Sequence, residues 1–175
     1  MSDGVGAGVG AGVGAVVLED VAVELSELLP APPDEVYALL TDVERMGGLG
    51  PENTRSEWES EDRGVGAVFR GWNVLHGNAY DVPCTVVAAD PPRAFAWAVD
   101  DSTQPSATWS YDLVEDGGGT RVTQRFQHGP GRTFLRRAVT AEPVRATELV
   151  AQRVAQIEAG MRTTLQAAAA LLRER

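Results

Sequence analysis

Residues 149–175 read LVAQRVAQIEAGMRTTLQAAAALLRER, and this stretch decides the fold class. Val150, Val154, Ile157, Met161, Leu165, Ala168 and Leu172 follow one another at spacings of 4, 3, 4, 4, 3 and 4, one continuous stripe of a helix. Arg153, Gln156, Glu158 and Arg162 fall off the stripe. The pattern predicts a helix of roughly 28 residues, ~42 Å long at 1.5 Å per residue. Such a seam also suits a coiled coil, so what precedes it decides between the two.

What precedes it is strand-like for about 75 residues. Residues 53–60, 65–76, 79–89, 94–100, 106–115 and 120–128 read as strands. The breaks between them carry turn chemistry: Glu61-Asp62-Arg63-Gly64, His76-Gly77-Asn78, Asp90-Pro91-Pro92 and Asp116-Gly117-Gly118-Gly119. Connections this short imply antiparallel hairpins, because parallel pairs need long crossovers. A long one-faced helix after an antiparallel sheet is most simply laid across it, each burying the other's apolar face.

Upstream, residues 16–29 alternate, with Val21, Val23 and Leu25 against Ala22, Glu24 and Ser26, a first half-buried strand. Pro30-Ala31-Pro32-Pro33 stops it, and Pro33-Asp34-Glu35 suits the first turn of a short helix carrying Val36, Leu39, Leu40 and Val43. Gly47-Gly48 and Gly50-Pro51 end that helix, around a second short turn if there is one. Residues 130–143 read as a loop with Gly129, Gly131 and a proline near each end, which raises the question of a lid. The order is strand, one or two short helices, six strands and a long helix: an α+β fold with a concavity between sheet and helix, a pocket.

Residues 4–15 read GVGAGVGAGVGA. Gly falls only at even positions, so the third glycine of a dinucleotide fingerprint is never in register, and no Gly-Lys-Ser/Thr follows. The expected organisation is a flexible Gly/Val/Ala-rich tail at 1–15 and a single ligand-binding domain at 16–175.

Of the 175 residues, 43% are hydrophobic and 23% charged, as in ordinary globular chains. The net charge of −10 opposes non-specific binding to nucleic acid or anionic lipid. All 15 basic residues are Arg, a bias expected of a GC-rich bacterial genome. Charge is uneven: residues 1–119 carry −16 and residues 120–175 carry +6. The final helix and its lead-in either complement an acidic body or offer a basic docking face, with the Arg-rich 130–145 segment the candidate for a protein partner. One cysteine, Cys84, excludes an internal disulfide. No apolar run approaches a transmembrane span and no secretory signal is evident, so a cytoplasmic location is expected.

This layout, together with local text, resembles the START-like (SRPBCC) superfamily, more closely its polyketide cyclase/dehydrase and lipid-transport group. The likeness is carried by Leu29-Pro30-Ala31-Pro32-Pro33-Asp34-Glu35-Val36-Tyr37, by Gly50-Pro51-Glu52-Asn53, by Gly66-Ala67-Val68-Phe69-Arg70-Gly71-Trp72-Asn73, by Trp109-Ser110-Tyr111-Asp112-Leu113 and by Gly118-Gly119-Thr120-Arg121-Val122-Thr123. It covers residues 20–175 and implies a helix-grip fold, a curved antiparallel sheet of about seven strands wrapped on the C-terminal helix. For activity it implies less, since relatives include carriers, receptors and cyclases.

Within the pocket reading, the 65–76 strand alternates Val68, Arg70, Trp72, Val74 and His76 on one face against Phe69, Gly71, Asn73 and Leu75 on the other. If the first set faces inward, Arg70 forks onto an oxyanion and Trp72 stacks on a flat ring. The resemblance implies the same, since a pocket arginine and aromatics are associated with holding a poly-β-ketone chain in cyclases. If that face is outward, both are solvated surface residues. Trp97, Trp109, Tyr111, Gln124 and Phe126 fall on strand faces toward the long helix, as do Ile157 and Met161 on the helix stripe; packing and ligand lining are both open to them. Arg70, His76 and Tyr111 are weak candidates for proton handling. Nothing supplies a metal-ligand set, a nucleophile elbow or a cofactor motif. The expected function is binding of a small hydrophobic or aromatic molecule, with a cyclase/dehydratase as the alternative and protein docking third.

Overall fold

The computed structural model describes residues 15–174; the expected tail, save Ala15, lies outside them. Seven strands form one sheet: β1 (Ala22–Leu29), β2 (Asn53–Trp58), β3 (Val68–Leu75), β4 (Asn78–Asp90), β5 (Ala94–Val99), β6 (Ala107–Asp116) and β7 (Gly119–His128). Their order across the sheet is β1-β7-β6-β5-β4-β3-β2, and every pairing is antiparallel. Two hairpins are closed by two-residue loops, His76-Gly77 (φ +50° and +76°) and Gly117-Gly118 (φ +57° and +85°). Positive φ at both positions matches the right-handed twist of the flanking strands.

Two short helices, α1 (Pro33–Leu40) and α2 (Val43–Met46), lead from β1 to β2 at the opposite edge. Pro33 opens α1 with Asp34 and Glu35 in its first turn, and the Asp42 carboxylate caps α2 by accepting from the Arg45 amide at 3.1 Å. The chain ends in the 28-residue α4 (Ala146–Arg173), the length expected from the stripe. Leu165, Ala168, Ala169 and Leu172 of its C-terminal half join Leu29, Val36 and Leu39 in the main core. This is the helix-grip fold.

Several elements differ from the sequence reading; β2, expected to reach residue 60, ends at Trp58. The first strand begins at Ala22, because Leu18–Asp20 forms a 3-10 turn. Residues 65–67 lie outside β3. The expected loop at 130–143 contains a helix, α3 (Phe134–Ala141), followed by a 3-10 turn at Pro143–Arg145. Thr133 caps α3 by accepting from the Arg136 amide at 2.9 Å, and Leu135 buries beside Leu18 and Val21 in a second small core. The Thr133 cap and the buried Leu135 hold the helix between Gly129-Pro130-Gly131 on one side and Pro143 on the other.

The C-terminal arginines are largely taken up by acids of the body. Arg125 pairs with Glu24 and Asp112, Arg136 with Glu19, Arg153 with Glu52 and Arg162 with Glu27. Within 130–145, Arg136 and Arg145 are so engaged, Arg145 with Glu142 and Glu148. No helix among the described residues is long and apolar enough to cross a membrane.

Candidate functional site

The half of α4 from Arg153 to Thr164 faces not a packed sheet but a cavity of about 710 Å³. That lies within the ~300–1,000 Å³ of small-molecule pockets. Ile157, Gly160 and Met161 form its helical wall. On β3, β5, β6 and β7 the sheet wall comes from alternate residues, since period two sends every second side chain inward, while β4 lines it along the continuous run from Tyr80 to Cys84.

Aromatic rings dominate that wall. Trp97 on β5 and Trp109 on β6 are cross-strand partners, stacked with centroids 6.3 Å apart and planes 9° apart. Tyr111 approaches Trp97 at 5.5 Å, and Phe126 meets Trp109 edge-on at 4.9 Å. Trp97, Trp109, Tyr111, Gln124, Phe126, Ile157 and Met161, the candidates from strands β5 to β7 and the helix, therefore all line one space.

Arg70, Trp72 and His76 do not. Phe69, Gly71, Asn73 and Leu75 are the residues of β3 that line the cavity, so the alternation runs in the opposite sense to the inward reading of Arg70. On the outer face the Arg70 guanidinium bridges Glu59 at 2.6 Å and Asp81 at 2.7 Å. Trp72 lies under the Arg55 guanidinium at 4.0 Å, a cation–π contact. His76 is the first residue of the hairpin loop, left of the strand altogether. Arg70 and His76 accordingly lie outside the cavity lining.

Residues that sequence reasoning passed over complete the site. Arg153 of α4 forks onto Glu52, with Nη1–Oε2 and Nη2–Oε1 distances of 2.8 and 2.9 Å, and the Tyr80 hydroxyl donates to the same carboxylate at 3.0 Å. Tyr80 also meets Phe134 of α3 edge-on at 5.3 Å. Burial and the Glu52 carboxylate together hold the Tyr80 phenol protonated, well above its ordinary range. This cluster ties the lead-in to β2, β4, α3 and α4 together along one side of the cavity. The 101 residues separating Glu52 from Arg153 made the pair invisible in sequence.

Two further groups are set by burial. The Cys84 thiol is pushed up to about 12, which leaves it protonated and inert. His128, 3% exposed, contacts the Gly129 carbonyl through Nδ1 at 2.9 Å and the Thr133 hydroxyl through Nε2 at 3.0 Å. The carbonyl can only accept, so Nδ1 donates to it and, in the neutral ring, Nε2 accepts from Thr133. Burial lowers its pKa below 6.5 against the opposing pull of the Gly129 carbonyl; Arg136 and Arg153 lower it further and Glu19 raises it.

The sign of the resulting linkage follows directly. Above pH 6.5 both states are neutral and the fold keeps its full stability; as pH falls through 6.5 toward the folded value, the unfolded chain takes up the proton first and stability drops. The melting temperature should therefore fall between pH 7 and 5.5, and His128→Gln should flatten that slope. An unchanged slope in the variant would assign it to other groups.

The family model described as "Polyketide cyclase / dehydrase and lipid transport" matches residues 20–169. The chain belongs to this family. Among solved structures, the polyketide-cyclase-like protein Cgl2372 from Corynebacterium glutamicum is similar at 29% identity and TM-score 0.63, over 87% of this chain and 91% of its own. Protein Ms6760 from Mycobacterium smegmatis shares the fold at 18% identity and TM-score 0.62, over 90% and 94%. The di-domain ARO/CYC StfQ from the steffimycin biosynthetic pathway does so at 15% identity and TM-score 0.69, over 90% of this chain and 53% of that one. No curated protein sequence matches. Family membership thus covers the cavity-lining sheet and nearly all of α4, the elements that make the pocket.

Proposed function

We propose that the chain binds, and so carries or sequesters, a small flat molecule that is mainly apolar and in part aromatic. The observation behind this reading is the cavity itself, about 710 Å³ walled by Trp97, Trp109, Tyr111 and Phe126 on one side and Ile157 and Met161 on the other. Walls of this kind supply area burial and ring stacking, which is what holds an apolar guest. Binding asks nothing more of the protein, and two of the acid–base groups of the wall are engaged elsewhere: His128 through both ring nitrogens and Tyr80 through Glu52.

Native mass spectrometry of protein incubated with host extract tests the reading. A discrete added mass, lost on denaturation, is expected. Gly160→Trp supplies the control, since a Cβ there meets only Pro51 carbons at 3.7 and 3.8 Å and a larger side chain has the cavity to enter. This variant should lose the added mass while its melting temperature holds, because replacing Gly inside a helix with Trp recovers about 0.3 kcal/mol of helix propensity. A persistent apo mass across extracts would count against the reading.

A second reading has the family's description behind it: the same pocket folds and cyclises a poly-β-ketone chain. Catalysis would then rest on positioning, with Tyr111 the one sequence candidate for proton handling that lines the cavity. Conversion of a bound chain, abolished by Tyr111→Phe, would establish it; release of the chain unaltered would exclude it.

A further inference from the structure

Among the described residues, four polar side chains are buried: Ser56, Thr120, Gln124 and His128. Three are matched within the protein. Ser56 donates to Asn53 Oδ1 at 3.1 Å, Thr120 donates to the Ala31 carbonyl at 2.7 Å, and His128 uses both ring nitrogens. The fourth is not: Gln124, 4% exposed, has no hydrogen-bond partner for Oε1. A buried acceptor left unmatched costs on the order of tenfold in an equilibrium, and a methionine would fill the same space without that penalty.

Gln124 stands on the cavity wall, and its cross-strand partner is Tyr111. Side chains opposite each other in an antiparallel pair are neighbours, their Cβ atoms about 5 Å apart. The next inward pair along the same two strands is Trp109 and Phe126, with Trp97 stacked on Trp109. A carboxamide and a phenol, side by side, thus interrupt an otherwise aromatic surface.

We infer that Gln124 and Tyr111 form a hydrogen-bonding subsite selecting a ligand that presents a hydroxyl to this wall, so that the guest is a hydroxylated flat aromatic rather than a plain hydrocarbon or a fatty chain. The inference rests on the binding reading above and adds the ligand's chemistry to it. A hydroxyl both donates and accepts: it gives its proton to Gln124 Oε1 and takes one from the Tyr111 O–H. A ketone oxygen only accepts and leaves Oε1 unmatched. The terminal torsion of Gln is soft, so the carboxamide turns its oxygen to an incoming donor at little cost. Burial alone raises the Tyr111 pKa, which keeps the phenol a neutral donor.

The test uses two fluorescent probes that differ by one hydroxyl, pyrene and 1-hydroxypyrene, titrated against wild type, Gln124→Met and Tyr111→Phe. Taking the ratio of the two dissociation constants within each protein cancels the unequal hydrophobicity of the probes. The ratio favouring 1-hydroxypyrene should fall about tenfold in Gln124→Met and about fivefold in Tyr111→Phe. Pyrene binding itself should be unchanged or tighter in Gln124→Met. Gln124→Met should also melt higher than wild type without ligand, since it removes the unmatched acceptor; this confirms that the variant folds. Both probes binding with one ratio across all three proteins would overturn the subsite and leave the pocket intact. Neither probe binding wild type would overturn the subsite and the binding reading together.

Discussion

Phe95→Ala is expected to lower unfolding stability by about 3–5 kcal/mol, the range for deleting a buried phenyl ring. Phe95 is 2% exposed and holds the floor where α1 meets the sheet, edge-on to Tyr37 at 6.4 Å and tilted against Trp97 at 5.8 Å. It has no means of collapse: its neighbours on β4 and β6 are held by the ladder, so the lost volume adds to the existing cavity. A hollow protein has less packed core to spare than a filled one of the same size, which places this ring among the costliest to remove. Urea unfolding measures it as a shift in midpoint at constant slope. A loss under 1 kcal/mol would mean that the cavity closes in when the ring is gone.

That hollowness also explains what was legible in the sequence. The strands, their hairpins and the long helix could be read because alternation, turn residues and the 3.6-residue stripe are local signals. The face of β3 could not be read the same way. Its inner residues, Phe69, Gly71, Asn73 and Leu75, include a glycine and an amide, because a wall facing empty space need not be bulky. Its outer residues include Val68, Trp72 and Val74, which look like core. The deciding signal is charge on and beside the flanking strands: Glu59 just past β2 and Asp81 on β4 stand where Arg70 needs them on the outer face, and Arg55 is the register partner of Trp72. Reading it requires the register, which a single sequence does not contain.

The site divides along the same line. Residues supplied by alternation on β5 to β7 and by the helix stripe were found, since core-facing and cavity-facing positions carry the same apolar signature. Glu52, Tyr80 and Arg153 were not, because a charged pair looks in sequence like two surface residues. Gln124 could be named from its parity with Val122 and Phe126, but its lack of a partner is a property of the fold alone.

Gly129→Ala should be nearly as damaging, by a different route, with a loss of about 2–4 kcal/mol. A Cβ at Gly129 would overlap the Pro105 carbonyl oxygen, lie 2.9 Å from its carbon and 3.3 Å from the Ser106 carbonyl carbon. All three atoms are backbone, so no rotamer change relieves the clash. The two loops are also hydrogen-bonded there, Gly129 N to Ser106 O at 2.9 Å and Gly131 N to Pro105 O at 3.0 Å, and Ser106 N in turn holds Val99 O at 3.0 Å. Pushing them apart breaks that ladder and displaces the Gly129 carbonyl to which His128 donates, so the cavity's polar end loosens with it. Gly64→Ala is the matched control: nothing lies within 4 Å of its Cβ, and its stability should stay within about 0.5 kcal/mol of wild type. Equal stability of the two variants in urea would show that the 104–106 and 129–131 loops yield freely and that their contact does not position the end of β7.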